Sequence, residues 1–420
     1  MASGQPLRIL ELYSGIGGMH MAARESGMEF EIIGSYEINT TALEVYRHNF
    51  PGTSKAHNIM GLTADHLDKL HPHLIMMSPP CQPFTRQGLK RDVEDSRTSS
   101  LLHFLHLLKE VPRTPDMILL ENVAGFETSL ARERLVEVLD ARNYNWQEYL
   151  LSPTQFGVPN SRLRYYMLAK QKQSSFLFSP SNKVEAEFPL CLCIRGEKNI
   201  LEDGEQCSSC SRPVLSVIHD LLQRTCSTHQ PTIHSGTTTN TQLPLQLCYY
   251  LDHTSDMEPY FLKDNILRKY HMILDIVNGE SRKSCCFTKG YSHYVEGTGS
   301  VIQHNTEVNM SHVYAKVEEL SADSPEKLEL LRQLQLRYFT PKEVARLMCF
   351  PSSFTFPETT TRKQRYRVLG NSVNRYLTFG KDLTHSISEA LSAGFTCCEV
   401  HQLQALLQSS TRPGQGVTGV

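Results

Sequence analysis

Apolar and polar positions along the first 170 residues follow two periods. Residues 7–12, 30–36, 74–77 and 117–120 are largely apolar runs bounded by glycine, proline or polar clusters. Short runs of this kind, too short for a helix and flanked by breakers, read as strands covered on both faces. Residues 149–151 and 165–170 continue the series. Between them, 18–26, 40–49, 101–109 and 130–141 repeat apolar residues every three or four positions, the spacing of a helix with one buried side. Strand and helix in alternation predict an α/β fold, a Rossmann-like domain around a mostly parallel sheet.

From 172 to 257 this pattern dissolves into Ser, Thr, Gln and Pro, and the segment reads as a variable, flexible insertion. Periodicity resumes near Tyr260, with helical stretches expected at 266–277, 328–336 and 341–348. Thr340 caps the last of these and Pro341 occupies its first turn. The chain therefore divides into a first domain at 6–171, the insertion, a smaller domain at 258–340, a return to the first domain at 341–390, and an atypical, partly disordered tail at 391–420.

Composition narrows the classes. Hydrophobic residues make up 40% of 420 and charged residues 20%, with a formal net charge of −2. A polyanion would find no overall attraction, so nucleic-acid contacts need local patches such as Arg86, Lys90 and Arg91, or Arg362, Lys363, Arg365 and Arg367. No stretch of about 18 apolar residues is present, and the N-terminus lacks a basic region leading into an apolar one. A soluble, intracellular protein without membrane contact is expected. The twelve cysteines are scattered irregularly, which favours reduced thiols over a disulfide framework. Among Cys191, Cys193, Cys207, Cys210, Cys226 and His229 only Cys207 and Cys210 have zinc-type spacing, and no metal is expected.

The candidate chemistry gathers at strand ends. Strand 7–12 runs into Tyr13-Ser14-Gly15-Ile16-Gly17-Gly18, a glycine-rich turn into a helix, and Glu37 ends the second strand about 20 residues further on. In folds of this class that pair holds a nucleoside. The third glycine of the dinucleotide fingerprint is absent, which points to S-adenosylmethionine rather than a dinucleotide. After strand 74–77 comes Ser78-Pro79-Pro80-Cys81-Gln82-Pro83, a single thiol on a loop stiffened by three prolines, the candidate nucleophile. Glu121 follows the apolar strand 117–120 and faces the same crevice. Arg162 and Arg164 alternate at the start of strand 165–170, so one face presents both, either to solvent or to a carboxylate, a phosphate or a base.

These segments resemble the cytosine-C5 methyltransferase family. Gly15-Ile16-Gly17-Gly18, Glu37, Pro79-Pro80-Cys81-Gln82, Glu121-Asn122-Val123, Arg162-x-Arg164 and Gly370-Asn371-Ser372 look like six of its motifs, in order. Cys285-Cys286-Phe287-Thr288-Lys289-Gly290-Tyr291 and Glu296-Gly297-Thr298-Gly299-Ser300 are similar to the hallmark of the small eukaryotic branch that methylates transfer RNA. The resemblance implies methyl transfer from S-adenosylmethionine, leaving S-adenosylhomocysteine, to C5 of cytosine 38 in the anticodon loop of tRNA(Asp). Cys81 would add to C6, Glu121 would bond N3 and the exocyclic amine, and Arg162 and Arg164 would orient the base and lower the thiol pKa. Tyr13, Ser14, Ile59, Met60 and Ser78 would lie beside the cofactor, with Asn371 and Ser372 closing over it. The smaller domain at 258–340 would grip the RNA. A monomer found in cytoplasm and nucleus, with weak DNA binding or none, is the matching expectation. A DNA cytosine methyltransferase, or an impaired binding protein, is the alternative, the latter because residues after Asn374 depart from the family pattern.

Overall fold

In the computed structural model the described residues are 6–26, 29–52, 58–80, 98–173, 176, 180–186, 244–252, 256–321 and 324–374. Seven strands form the main sheet: β1 (Leu7–Leu12), β2 (Phe30–Tyr36), β3 (Leu74–Met77), β4 (Met117–Val123), β5 (Tyr144–Leu151), β6 (Arg164–Gln171) and β7 (Val184–Glu185). Their spatial order is β2-β1-β3-β4-β6-β5-β7. Only β6 runs against its neighbours, pairing antiparallel with both β4 and β5. The crossover helices α1 (Gly18–Glu25), α2 (Thr40–Asn49), α3 (Ala64–Leu70), α4 (Ser99–Glu110) and α5 (Leu130–Ala141) set the parallel strands side by side.

Strand alternation sorts the sheet into two faces. Leu10, Leu12, Ile75, Met77, Ile118, Leu120, Tyr165 and Met167 belong to a core completed by Phe104 and Leu108 of α4 and Leu135 and Leu139 of α5. Leu7, Ile9, Leu74, Met76, Leu119, Tyr166 and Leu168 meet Met19, Ala22 and Ala23 of α1 on the other side. Each such fully buried side chain is worth about 1.5–3 kcal/mol of transfer free energy, which explains why both-face apolar runs settle as central strands.

A smaller three-stranded sheet, ordered β10 (Leu336–Tyr338), β9 (Val301–Gln303), β8 (Ile276–Val277), packs with α6 (Asp264–Tyr270), α7 (Met310–Glu319) and α8 (Pro325–Gln333) around Leu267, Val313, Val317 and Leu331. The chain then returns through α9 (Pro341–Leu347) and α10 (Arg362–Gly370). Thr340 and Thr361 cap these helices through reciprocal boxes with Glu343 and Gln364, as the Thr340 assignment anticipates. A third core joins the two sheets, bringing Ile16, Tyr46 and Phe50 against Phe287, Tyr291, Phe339 and Tyr366.

Three expectations need correction. The helix at 266–277 stops at Tyr270, and Ile276 and Val277 form β8, held by a backbone bond from Val301 N to Asp275 O of 2.8 Å. The stretch 328–336 likewise breaks at Gln335, at φ 48°, and Leu336 begins β10. Within the expected insertion, Leu247 and Tyr250 are buried, and Val184 and Glu185 pair with β5. Glu343 explains the order at 244–252: its carboxylate accepts from Asp252 N (2.9 Å) and Thr340 N (2.7 Å) and from both terminal nitrogens of buried Arg337 (2.8 Å each). Breaking such a buried ion pair by removing one partner costs about 3–5 kcal/mol. The candidate zinc residues and the tail at 391–420 lie outside the described residues. Among the described residues no helix is long and apolar enough to cross a membrane.

Glu11, near the end of β1, is buried on the α1 side. It accepts from the Tyr46 hydroxyl through Oε2, its Oε1 has no partner, and His20 Nδ1 lies 2.8 Å from the same hydroxyl. Burial pushes the carboxyl from 4.5 up to about 8, against the Tyr46 hydrogen bond, and pulls His20 from 6.5 down to about 4, aided by Arg24. Both are neutral at pH 7. The folded Glu11 retains a proton that the unfolded chain loses above pH 4.5, so its contribution falls with rising pH until about 8. His20 offsets this only below pH 6.5, where the unfolded imidazole takes up a proton. Between pH 6.5 and 8 these groups should therefore lower unfolding free energy by about 1.4 kcal/mol per pH unit, and Glu11→Gln should flatten that slope in urea titrations.

Candidate active site

The first turn of the site is built by backbone strain and glycine. Tyr13 holds a left-handed φ of 58°, rare outside glycine, and its hydroxyl bonds Ser100 Oγ at 3.0 Å. That twist lifts Ser14-Gly15-Ile16-Gly17 off the end of β1. Ser14 N donates to Tyr36 O (3.1 Å), and Ser14 Oγ meets Ser35 Oγ (3.1 Å), tying the turn to β2. Gly15, at φ 55°, leaves no atom closer than 4.0 Å to where a Cβ would stand. Ile16 is buried in the joining core. Gly17 starts α1 at φ 86°, and a Cβ there would lie 2.4 Å from the Phe50 ring. Only glycine meets both demands.

Glu37 stands at the end of β2. Its Oε2 accepts from Gly15 N (2.9 Å) and Oε1 from Asn39 N (2.6 Å). Burial raises its pKa, opposed by these backbone bonds. Beyond it Ile38 is exposed, as is Met60 on the single turn Ile59–Gly61, whose Ile59 is buried in the core below. The donor set fits a nucleoside: a fixed carboxylate with lone pairs to spare, open space at Gly15, and exposed apolar side chains at Ile38 and Met60. Ile38 escapes a motif-based reading because nothing in the sequence separates it from a core isoleucine.

Ser78 Oγ donates to Tyr13 O at 3.1 Å, which joins the start of the nucleophile loop to the first turn. Asn122 Nδ2 reaches Pro79 O at 3.4 Å. Residues 81–97, with Cys81, Arg86, Lys90 and Arg91, lie outside the described residues.

Glu121 lies within β4, which extends three residues past the expected end. It pairs in register with Tyr166, and Val123 with Arg164, so Arg164 is its diagonal neighbour on one face. Arg164 Nε is 3.4 Å from Glu121 Oε1. Burial raises the Glu121 pKa, with Arg164 and then Arg162 opposing. A buried carboxyl of this kind suits a proton donor.

The two arginines divide their tasks. Arg162 precedes β6 and is buried. Its Nη1 donates to Phe287 O (3.2 Å), and its Nη2 to Gly370 O (3.2 Å) and Ser372 O (2.5 Å). It clamps backbone where base contact was anticipated. Arg164 keeps the carboxylate role. Both guanidiniums approach Cys286 Sγ, at 3.3 and 3.9 Å. Burial would raise that thiol, but Arg162 and Arg164 outweigh it and hold it below the ordinary value. Cys286 entered the sequence reading only as part of a hallmark. Asn160, not singled out there, bonds Ser284 Oγ (3.1 Å) and Cys285 O (3.0 Å).

Asn371 caps α10, its N–H bonded to Arg367 O at 3.3 Å. Ser372 is buried beside α1: a Cβ on Gly18 would meet Ser372 Oγ at 3.2 Å and Val373 Cγ2 at 2.6 Å. First and last motifs are thus in contact. Two of the residues weighed as phosphate contacts are engaged internally. Arg362 donates to Pro259 O and covers the Tyr260 ring at 5.3 Å, and Arg365 donates to Thr360 O (3.0 Å) and Pro357 O (3.2 Å).

Comparison with known proteins decides the family. The profile of the C-5 cytosine-specific DNA methylase family matches residues 7–379. The chain belongs to that family. It is 40% identical to the tRNA (cytosine(38)-C(5))-methyltransferase of Mus musculus, over 97% of this chain and 99% of the relative. Identity with the Homo sapiens protein of the same name is 42%, over 88% and 96%. The crystal structure of a Spodoptera frugiperda DNMT2 mutant superposes with a TM-score of 0.71 at 36% identity, covering 92% of this chain and 99% of that one. The mouse match runs well into residues 375–420. Members of this family are S-adenosylmethionine-dependent cytosine-C5 methyltransferases, and this chain is an enzyme of that class.

Gly370 is the tightest contact in the site. A Cβ there would fall 2.2 Å from Lys289 N and 2.3 Å from Thr288 C, backbone atoms that cannot rotate away. Gly370→Ala should lower the unfolding free energy by about 1–3 kcal/mol or more and separate 286–291 from Arg162. Denaturant unfolding measures the first effect; loss of methyl transfer measures the second.

Proposed function

We propose that the protein methylates C5 of cytosine 38 in tRNA(Asp), using Cys81 as the nucleophile. What supports the reading is the Glu121 and Arg164 pair at the end of β4, in a chain 40% identical across nearly its whole length to a tRNA (cytosine(38)-C(5))-methyltransferase. S-adenosylmethionine, held by the Tyr13 to Gly18 turn, Glu37, Ile59, Met60 and Ser78 and covered by Asn371 and Ser372, supplies an electrophilic methyl group.

Cytosine C5 is a weak nucleophile. Addition of the Cys81 thiolate to C6 breaks the C5–C6 double bond and moves its electron pair toward C5. Glu121 donates its proton to N3 and accepts from the exocyclic amine, so charge on the ring is neutralised as it develops. Burial favours that protonated state. Arg164 fixes the carboxyl's orientation from one side. Once C5 has taken the methyl group, a base removes the C5 proton, the electron pair restores the double bond, and Cys81 departs from C6. A stacked base is out of reach of such a site, so the target must be presented by a loop or flipped. In this reading the 258–340 region, which meets Arg162 through Cys286 and Phe287, holds the RNA.

Duplex DNA is the second reading, because the family profile is described for DNA cytosine methylation. Methyl-labelled S-adenosylmethionine with unmodified tRNA(Asp) or duplex DNA separates the two. Label should enter tRNA at cytosine 38, vanish with Cys81→Ala, and fall on the order of 100-fold in kcat with Glu121→Gln. Label in DNA alone contradicts the substrate, and label retained by Cys81→Ala contradicts the nucleophile.

A further inference from the structure

Two buried polar groups beside Glu121 have no hydrogen-bond partner: the Tyr166 hydroxyl and Arg162 Nε. Tyr166 lies opposite Glu121 in the register of β4 and β6, so their side chains leave the sheet on one face with Cβ atoms about 5 Å apart. Tyr149 of β5 occupies the other flank of Tyr166 in the same row. Arg164, two residues before Tyr166 on β6, stands 3.4 Å from Glu121, and Arg162 and Arg164 converge on Cys286 Sγ at 3.3 and 3.9 Å, which gathers both guanidiniums beside the pair. Orphaned buried donors are rare, and those that occur mark a water, an ion or a functional group. A phenyl ring would fill the Tyr166 site without that cost.

We propose that Tyr166 is a positioning residue for Glu121: its hydroxyl and the Arg162 Nε–H donate to one ordered water, which donates in turn to the Glu121 carboxyl. The inference rests on the acid role given to Glu121 above. Two donors and one acceptor satisfy what a buried water requires. The water supplies what Arg164 lacks. Its Nε stands 3.4 Å from Glu121 Oε1, too long to fix the rotation of the carboxyl alone. With both sides held, the carboxyl proton is aimed at the base. Burial holds the Tyr166 phenol well above its usual range, so it acts as a donor and never as the base that removes the C5 proton.

Tyr166→Phe in the full chain tests this. Because the Arg162 bonds to Phe287 O, Gly370 O and Ser372 O do not involve the phenol, the fold and both substrate sites should be untouched. The expected result is a fall in kcat of about tenfold, with KM for nucleic acid, KM for S-adenosylmethionine and the denaturation midpoint unchanged, on whichever polymer accepts label. Full kcat, or a loss of activity that tracks a loss of stability, overturns the proposal. A high-resolution crystal structure of the wild-type protein decides the water itself. Density within hydrogen-bond distance of both Tyr166 Oη and Arg162 Nε supports the proposal, and its lack overturns it. That second arm stands even if the protein methylates neither polymer, in which case the proposed function fails separately.

Discussion

One buried guanidinium holds this site together. Arg162 donates to carbonyls of residues 287, 370 and 372, which lie 125, 208 and 210 positions further along the chain. Burial works against its charge, and Arg164 adds to the pull. Charge-assisted bonds to three carbonyl oxygens compensate, each stronger than a neutral hydrogen bond. The clamp joins the stem of the 286–291 segment and the end of α10 to the residues just before β6.

Close approach does the rest. Gly18 meets Ser372 and Val373, and Gly370 meets Thr288 and Lys289, with no room for a Cβ at either. The end of α10 therefore meets the smaller domain backbone to backbone, and the cofactor-side helix receives the Ser372 and Val373 side chains of the closing motif at close range. Geometry of this kind transmits small displacements, so the site is sensitive to volume at positions that never meet a substrate. Arg164 donates from Nη1 to the adjacent Leu163 O (2.7 Å) and stands beside Glu121 and Cys286.

Much of this was legible in the sequence. The strands at 7–12, 30–36 and 74–77 end where the apolar runs end; β1 and β3 are almost wholly buried, whereas the edge strand β2 is buried only at Ser35 and Tyr36, where it reaches the site. The turn after β1 and Glu37 follow the carboxyl ends of their strands, and Glu121 lies two residues before the end of β4. Helix limits failed at 266–277 and 328–336, where the apolar spacing continues but the chain turns to join a sheet whose strands are only two or three residues long. The separation of Arg162 from Arg164 could not be foreseen, since alternation predicts a shared face and the partners of Arg162 are backbone carbonyls, which every residue carries. The same holds for Tyr166, whose importance follows from a register that only the sheet reveals.

Hydrogen exchange in Arg162→Lys tests the clamp most directly. A lysine keeps the charge but cannot reach three carbonyls from one plane. Loss of amide protection at 286–291 and 366–373 together, with the strands of the main sheet still protected, is the predicted result. Protection retained in either segment would contradict the view that one side chain locks them both to the catalytic strand.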